Sequence, residues 1–326
     1  MFGVRCHAER NSDDQRFLQC RTSNIVLHTY FWCMKKAFLQ LHIAVIFAGF
    51  TAILGKLINL NEGILVWYRM LFSAVTLGAI LIYRKQFVRL SLVNTLKLFT
   101  VGAIVALHWV SFYGSIKYAN VSVSVTCLSA IGFFTSFIEP IIMKRRIDFI
   151  EVLLGLLAII GIYLIFNFYP EYKRGIIFGI ISALLACLFP IFNKTLLKEF
   201  APKVVTLYEM TGGFLALCLI VPFYLHFFPA EYFIPTAADL FWLLILAWIC
   251  TVFAFILSLN ALKHISAFTV NLTYNFEPIY SIVLAFIIFK ENKFLGAGFY
   301  FGFGLILLAI SLQMARVWRE RKLLTK

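Results

Sequence analysis

Charged residues are the scarcest class in this sequence. They make up 13% of its 326 residues, against about a quarter in a typical soluble domain. Aspartate occurs only at positions 13, 14, 148 and 239, so no apolar stretch holds an aspartate pair for metal-assisted chemistry. Apolar residues account for 62% of the chain, and the mean hydropathy is +0.91. This composition excludes a water-soluble fold and predicts an integral membrane protein.

The sequence also lacks the signature motifs of catalysis. It contains no GxxxxGKS phosphate loop, no HExxH zinc motif and no GxSxG nucleophile turn. Its seven cysteines show no CxxC or Cys/His spacing of the kind that binds zinc or forms a redox site. We therefore predict that the protein is not an enzyme, that it has no metal site and that it needs no cofactor.

Apolar runs of about 18 to 24 residues fill most of the chain, each long enough for a hydrocarbon core of roughly 30 Å. In lipid, such runs span as helices because helices satisfy their own backbone groups. We predict an all-α integral membrane protein with ten transmembrane helices. The expected spans are 37–57, 63–83, 94–113, 119–140, 149–169, 175–193, 204–226, 239–260, 266–289 and 294–315.

The net charge of +14 is distributed unevenly between the two sides of the membrane. With the N-terminus placed in the cytoplasm, seventeen lysines and arginines fall on the cytoplasmic side and six on the other. This positive-inside bias predicts that both termini are cytoplasmic, in a cytoplasmic (inner) membrane. The charge is thereby explained by topology, and we expect no nucleic-acid partner.

Both ends of the chain differ from its apolar body. Residues 1–33 are polar and without periodicity, and Met34 with two lysines stands directly before the first span. We interpret 1–33 as a disordered extension or as a segment that is not translated, with translation beginning at Met34. Residues 316–326 form a basic tail that we place in the cytoplasm.

A weak internal repeat relates the first five spans to the last five. "YRM" at 68–70 matches "YEM" at 208–210, and "GSIKYA" at 114–119 aligns with "NALKHI" at 260–265. The latter offset of 146 also places Lys144 on Lys290. Because five is odd, the second copy crosses the membrane in the opposite sense. We predict two inverted five-helix repeats, 34–169 and 170–315, an arrangement found in many secondary transporters with the substrate site between the halves.

These segments carry a resemblance to a known family. "LVWYRM" (65–70), "LHWVSFYGSIKYANVSVSV" (107–125) and "ALKHISAFTVNLTYNFEPIYSIVLAF" (261–286) resemble EamA-type members of the drug/metabolite transporter superfamily. "KEN" at 290–292 stands where that family commonly has a Gly-Glu pair. The resemblance covers 37–315 and implies a polytopic transporter, often an exporter of amino acids or other small metabolites.

Glu277 is the most deeply placed charge, about midway between Lys263 and Lys290. An intramembrane charge is costly and therefore indicates a function or a partner. Pro278 removes the hydrogen bond to Tyr274 and disturbs the helix where only protein or a water-filled cavity can satisfy the freed carbonyl. We expect this stretch to line a substrate cavity; the alternative is a carboxylate that only makes hydrogen bonds within the bundle.

Arg69 and Glu209 occupy equivalent places in the two repeats, each six residues into its span. Arg69 resembles an arginine that the family commonly carries in its second span. It could bind an anionic group of the substrate or could tie span two to its neighbours, and we interpret Glu209 as structural. His108 could bind substrate or transfer a proton, or could form an ordinary interhelical hydrogen bond, while Trp109 offers an aromatic face.

We predict a secondary transporter that exports a small polar metabolite, such as an amino acid, by alternating access. Lipid or lipid-linked carrier translocation and a non-transporting auxiliary subunit are the alternatives. The partners expected are a small-molecule substrate, the lipid bilayer, a coupling proton and a second copy of the chain as a homodimer. The predicted substrate-binding residues are Glu277, Tyr274, Asn271, Asn275, Tyr280, His108, Trp109 and Arg69.

Overall fold

The computed structural model describes residues 12–274 and 276–324, and all the regular structure in these residues is helical. Within them, the side chains at 12–33, 267, 268, 271, 272, 317, 318 and 320–324 are outside the description. The helices are α1 (Ser12–Leu57), α2 (Glu62–Tyr83), α3 (Leu92–Tyr118), α4 (Val121–Cys127), α5 (Ala130–Met143), α6 (Phe149–Phe168), α7 (Lys173–Leu196), α8 (Pro202–Phe227), α9 (Ala237–Ala247), α10 (Ala254–His264), α11 (Ala267–Tyr274), α12 (Glu277–Phe289) and α13 (Ala297–Leu324).

These helices form ten membrane crossings, which we number in chain order. Nine segments in the described part of the chain are long and apolar enough to span by themselves. Span four combines α4 with α5, span eight combines α9 with α10, and span nine combines α11 with the shorter apolar helix α12. The all-helical fold and the ten predicted crossings are confirmed.

The N-terminal helix extends further than the sequence indicated. α1 begins at Ser12, so the backbone of residues 12–33 continues the first span as helix. The stretch contains neither proline nor glycine, and nothing in its backbone chemistry stops a helix started by span one. Translation from Met34 stays a prediction.

Spans three and seven approach each other closely where glycines face the neighbouring backbone. A Cβ atom on Gly102 would lie 2.1 Å from the Glu209 carbonyl oxygen, and one on Gly212 would lie 2.3 Å from the Phe99 Cα. In lipid, where apolar burial drives helices together only weakly, small residues allow the close packing that holds them. This contact joins the first repeat to the second at the centre of the bundle.

Span four is broken into two helices, although the sequence predicts one continuous span over 119–140. The backbone N–H of Ser129 bonds to the Thr126 carbonyl at 3.0 Å, a tight turn that separates α4 from α5. No proline or glycine marks the break. The side chain of Thr126 instead bonds to the Ser122 carbonyl at 2.6 Å, a contact known to bend helices.

Span nine is broken at nearly the equivalent place of the second repeat. The N–H of Phe276 bonds to the Thr273 carbonyl at 3.1 Å, the counterpart of the bond at Ser129. The two broken spans also end alike, because Lys144 and Lys290 terminate α5 and α12 in the left-handed conformation, with φ of 53° and 56°. The predicted correspondence between these two lysines therefore holds at the level of the backbone.

The glycine contact between spans three and seven gives a first prediction. We expect Gly102→Ala to lower the stability by about 1–3 kcal/mol, because its methyl group would overlap the backbone of α8. Gly304→Ala is the matched control, since a Cβ atom there meets nothing within 4 Å and alanine favours a helix. Thermal unfolding in detergent, followed by tryptophan fluorescence, should show a lower midpoint for the first variant only. Equal midpoints would contradict the close approach.

Candidate substrate cavity

A buried cavity lies between the two halves of the bundle, with about 90 Å³ available to the centres of water-sized spheres. That is room for several waters or part of a small polar molecule. Both helix breaks contribute to its wall, through Leu128 and Ile131 in span four and Tyr274 and Glu277 in span nine. The other polar lining residues are Thr51, Arg69, His108 and Ser258, and the larger aromatic ones are Trp109, Phe112, Phe189 and Phe255.

Arg69 is almost completely buried, with 2% of its surface exposed. Its Nε donates to the Thr251 hydroxyl at 2.6 Å, and one Nη1 hydrogen goes to the Tyr113 hydroxyl at 2.7 Å. The guanidinium carbon stands 3.5 Å from the centre of the Trp109 ring, a close cation–π contact. These contacts hold the arginine in place, and Nη2 forms no hydrogen bond with the side chains and backbone that the structure describes. Arg69 therefore links span two to spans three and eight, which is one of the two roles considered for it from the sequence.

A π-helical segment, Trp248–Phe253, interrupts span eight and positions Thr251. The Thr251 hydroxyl donates to the Leu246 carbonyl five residues back at 2.7 Å, so its oxygen accepts the bond from Arg69 Nε. The hydroxyl of Ser73 bonds to both the Arg69 and Ala247 carbonyls, which fixes span two against span eight. π-Segments often occur at functional sites, and this one aims a hydroxyl at the buried cation.

Glu277 is the first residue of α12, and Pro278 occupies the opening turn, where its missing N–H is not needed. The break thus accommodates the proline by restarting the helix. The carboxyl group lines the cavity with 8% of the residue exposed and interacts electrostatically with Arg69. No ion pair within 4.0 Å joins the two among the described residues. The cavity wall therefore holds a buried cation and a buried carboxyl group that are not in direct contact.

The remaining predicted site residues have different positions. Trp109 and Tyr274 line the cavity, as does Ser258. Tyr280 does not line it: this residue is 37% exposed, and its Cβ faces Gly49 of span one. Asn275, and the side chain of Asn271, lie outside the described residues.

His108 lines the cavity with one ring nitrogen already engaged. Its Nδ1 lies 2.9 Å from both the carbonyl and the hydroxyl oxygen of Ser182 in span six. The ring stacks on Phe112, with centroids 6.3 Å apart. The interhelical bond considered for this histidine thus exists. Only Nε2 is left for a ligand.

The substrate-binding residues predicted from the sequence include neither Tyr113 nor Thr251. Tyr113 follows Trp109 by four residues and so shares its helix face, a spacing that could have identified it. Thr251 gave no such signal, because it meets Arg69 across 182 residues of sequence and through a π-segment that carries no distinctive residues.

Glu209 lies outside the cavity. It is fully buried, and neither of its carboxyl oxygens, nor the amide of the adjacent Asn193, forms a hydrogen bond of acceptable geometry. No ion pair within 4.0 Å links it to Arg69 among the described residues, so the two equivalent charges do not meet directly.

Several polar contacts join the repeats at the end of the bundle where Lys56 and Glu291 lie. The Glu291 carboxylate accepts from Lys56 Nζ at 2.7 Å, from the Val121 and Ser122 N–H groups at 3.1 and 2.8 Å, and from the Ser122 hydroxyl at 2.6 Å. It thereby caps the N-terminus of α4. We call these four residues the Glu291 clamp. Lys56, at the end of span one, thus pairs with a carboxylate of the second repeat.

Two further contacts join the repeats at the same end. Tyr224 donates to the Glu62 carboxylate at 2.6 Å, and the Asn59 N–H donates to Asp239 at 2.9 Å. Asp239 also accepts from Tyr232 and forms a capping box with Thr236 at the start of α9. With the Glu291 clamp, these contacts close the bundle on this side of the cavity.

The Glu291 clamp gives a prediction with a defined pH dependence. Burial raises the pKa of Glu291, but the hydrogen bonds from Lys56 and Ser122 outweigh it and the net pKa is lowered. A lowered folded-state pKa means that the carboxylate stabilises fully above its unfolded value of about 4.3 and loses this effect as the pH falls through the folded value. We expect Glu291→Gln to cost about 1.5–3 kcal/mol at pH 7, and the difference from wild type to shrink below pH 4.

Glu171→Gln is the matched control, because Glu171 is exposed in the short turn before α7. Unfolding midpoints measured from pH 3.5 to 7.5 should be unchanged by this substitution. A pH-independent loss in Glu291→Gln would show that packing, not ionisation, carries the contact.

Ten crossings in two paired halves, with a charged cavity buried between them, define the class: a multi-pass membrane transport protein. The sequence matches the EamA-like transporter family over residues 35–167 and again over 173–315. The chain therefore belongs to the EamA-like transporter family, a drug/metabolite transporter group, and its fold is that of two inverted five-helix repeats.

Similar proteins support this assignment. An uncharacterized transporter of Haemophilus influenzae is 25% identical over 162 residues, which cover 47% of this chain and 53% of that protein. An uncharacterized transporter of Archaeoglobus fulgidus is 27% identical over 153 residues, with the same coverage. The chain spans about half the length of these curated relatives. A solved structure titled "Crystal structure of protein" shares the fold, with a TM-score of 0.60 at 14% identity over 85% of this chain and 96% of the other.

Proposed function

We propose that this transporter exports a small zwitterionic metabolite, such as an amino acid, by alternating access. The observation that carries the proposal is the pair of opposite charges at the cavity wall. Arg69 and Glu277 are both buried, interact electrostatically and are not in direct contact. Isolated charges at this depth are costly, so a ligand that bridges them would recover a large electrostatic energy.

Each end of such a ligand has a matching group. The Nη2 donors of Arg69 would bind the ligand's carboxylate, since arginine pairs with carboxylates in a planar, bidentate geometry. Glu277 would accept from the ammonium group, and Tyr274 and His108 Nε2 offer further polar contacts. Trp109 already stacks on Arg69 and limits the space beside it. Glu277 is also the group that a coupling proton would occupy in the empty carrier.

The proposed direction is supported by the position of the cavity along the bundle. The cavity wall includes Leu262 and Val270, within three residues of the last residue of α10 and the first of α11. The positive-inside bias places that end in the cytoplasm. The opposite end is closed by the Glu291 clamp and its two neighbouring contacts. With the protein in the inner membrane, the cavity would take up substrate from the cytoplasm. Residues 34–169 and 170–315 would be the two units that rock against each other during transport.

The proposal is tested by ligand-induced stabilisation of the purified protein. A ligand at a hundred times its dissociation constant stabilises by about 2.7 kcal/mol, well within the reach of a thermal-shift assay. We expect amino acids to raise the melting midpoint, and their N-acetyl and amide derivatives, each lacking one charge, to raise it less. Nucleosides, sugar phosphates, cationic dyes and lipid head groups complete the panel.

Two variants test whether Glu277 contacts the ammonium group of the ligand. In Glu277→Gln the response to amino acids should fall to that of the N-acetyl forms, because the ammonium group loses its anionic partner. Tyr280→Phe is the control and should respond as wild type, since Tyr280 lies outside the cavity. A wild-type response in Glu277→Gln would assign Glu277 a structural role. A response confined to lipid head groups would favour lipid translocation, and no response at all would favour an auxiliary subunit.

A further inference from the structure

A second depression in the protein lies on the outside of the bundle, where α2, α3 and α8 meet. This groove has a volume of about 400 Å³ and shares no residue with the substrate cavity. Its wall is apolar, and residues such as Val75 and Leu215, 61% and 47% exposed, open it outward to the surrounding bilayer. Gly78 leaves part of it empty, since a Cβ atom there would only touch Leu207 at 3.5 Å.

Cations surround one end of the groove. Phe87, in the loop between α2 and α3, lines the groove, and the same loop carries Arg84, Lys85 and Arg89, all exposed. The loop is held against α8 by a hydrogen bond of 2.8 Å from the Tyr208 hydroxyl to the Val88 carbonyl. The backbone that carries the cations is therefore held beside the groove.

A further cation extends the wall of the groove along α8. Lys203 precedes the groove residue Leu207 by four positions and Thr211 by eight, so it lies on the same helix face, one turn nearer the loop. Its side chain is exposed.

Acidic residues do not balance these charges. None occurs anywhere from 63 to 138, a stretch that includes the whole of α3 and the loop. In α8, Glu209 is fully buried, and Glu199 is the exposed acid in the turn that precedes that helix. One end of the groove thus carries an exposed cluster of four cations beside its apolar wall.

We propose that this groove binds an anionic phospholipid, with an acyl chain along α2 and α8 and the phosphate head group on Arg84, Lys85, Arg89 and Lys203. Basic residues at a membrane surface attract anionic lipids, and basic pockets between helices bind their head groups. The apolar groove adds a binding site for one acyl chain, which a surface cluster of cations alone lacks. Because α2 and α3 belong to the first repeat and α8 to the second, the lipid would contact both halves of the transporter.

The experiment is native mass spectrometry of the purified protein, titrated with phosphatidylglycerol or with phosphatidylcholine of the same chain length. We expect one phosphatidylglycerol to bind in clear preference to phosphatidylcholine. The triple variant Arg84→Gln, Lys85→Gln, Arg89→Gln should bind it roughly tenfold or more weakly. The matched control is Lys144→Gln, Arg145→Gln, Arg146→Gln, which removes the same charge from the loop between α5 and α6 and should keep the preference.

A second pair of variants tests the groove without changing charge. Gly78→Leu would fill the groove and should also weaken phosphatidylglycerol binding, whereas Gly304→Leu, in open space on α13, should not. Inorganic phosphate and the free glycerophosphoglycerol head group should fail to compete at the same concentration.

Three results would overturn the proposal: undiminished preference in the 84/85/89 variant, equal loss in the 144/145/146 control, or unchanged binding in Gly78→Leu. Competition by the free head group as strong as by the lipid would overturn it as well, because the acyl chain would then contribute nothing. Circular dichroism and the melting midpoint establish that each variant is folded before binding is compared.

Discussion

A guanidinium group held in the interior of a membrane bundle is the constraint around which the rest of this structure is arranged. Arg69 is almost completely buried, so protein groups supply hydrogen bonds and a counter-charge to it. Tyr113 from span three and Thr251 from span eight accept hydrogen bonds from Arg69, and the face of Trp109 adds a cation–π contact. Glu277 from span nine provides the counter-charge without direct contact. Four spans are thereby positioned relative to one another by a single side chain.

The irregular parts of the helices serve this arrangement. The π-segment of span eight turns Thr251 towards Arg69, and the break in span nine places Glu277 at the cavity rather than inside a continuous helix. The break in span four supplies the opposite wall, although its equivalent residue, Ile131, carries no charge. Both repeats therefore contain the helix break, but only the second repeat places a charged group there. Asymmetric chemistry on a symmetric scaffold suits a site that must bind two different ends of one molecule.

The number of crossings, their limits to within a few residues and the inverted repeat could all be predicted from hydropathy and charge, because both signals are local and strong. So could the presence of Arg69, Trp109, His108, Tyr274 and Glu277 at one cavity. The break in span four could not, since no proline or glycine marks it and the deciding contact is a threonine hydroxyl on its own helix. Tyr280 does not line the cavity, because the helix restarts at Glu277 and the continuous helical spacing assumed from the sequence is absent.

The Glu291 clamp has a consequence for the order in which the protein is made. Its ion pair joins residues 235 positions apart, and the N-terminus of α4 also depends on Glu291 for its cap. At synthesis rates of about 5–20 residues per second, the first repeat would wait roughly 10–50 s after Lys56 is made before its partner appears. During that interval α4 and Lys56 lack the carboxylate that secures them. The first five spans are thus an unfinished half, and ribosomal synthesis of the ninth span completes them.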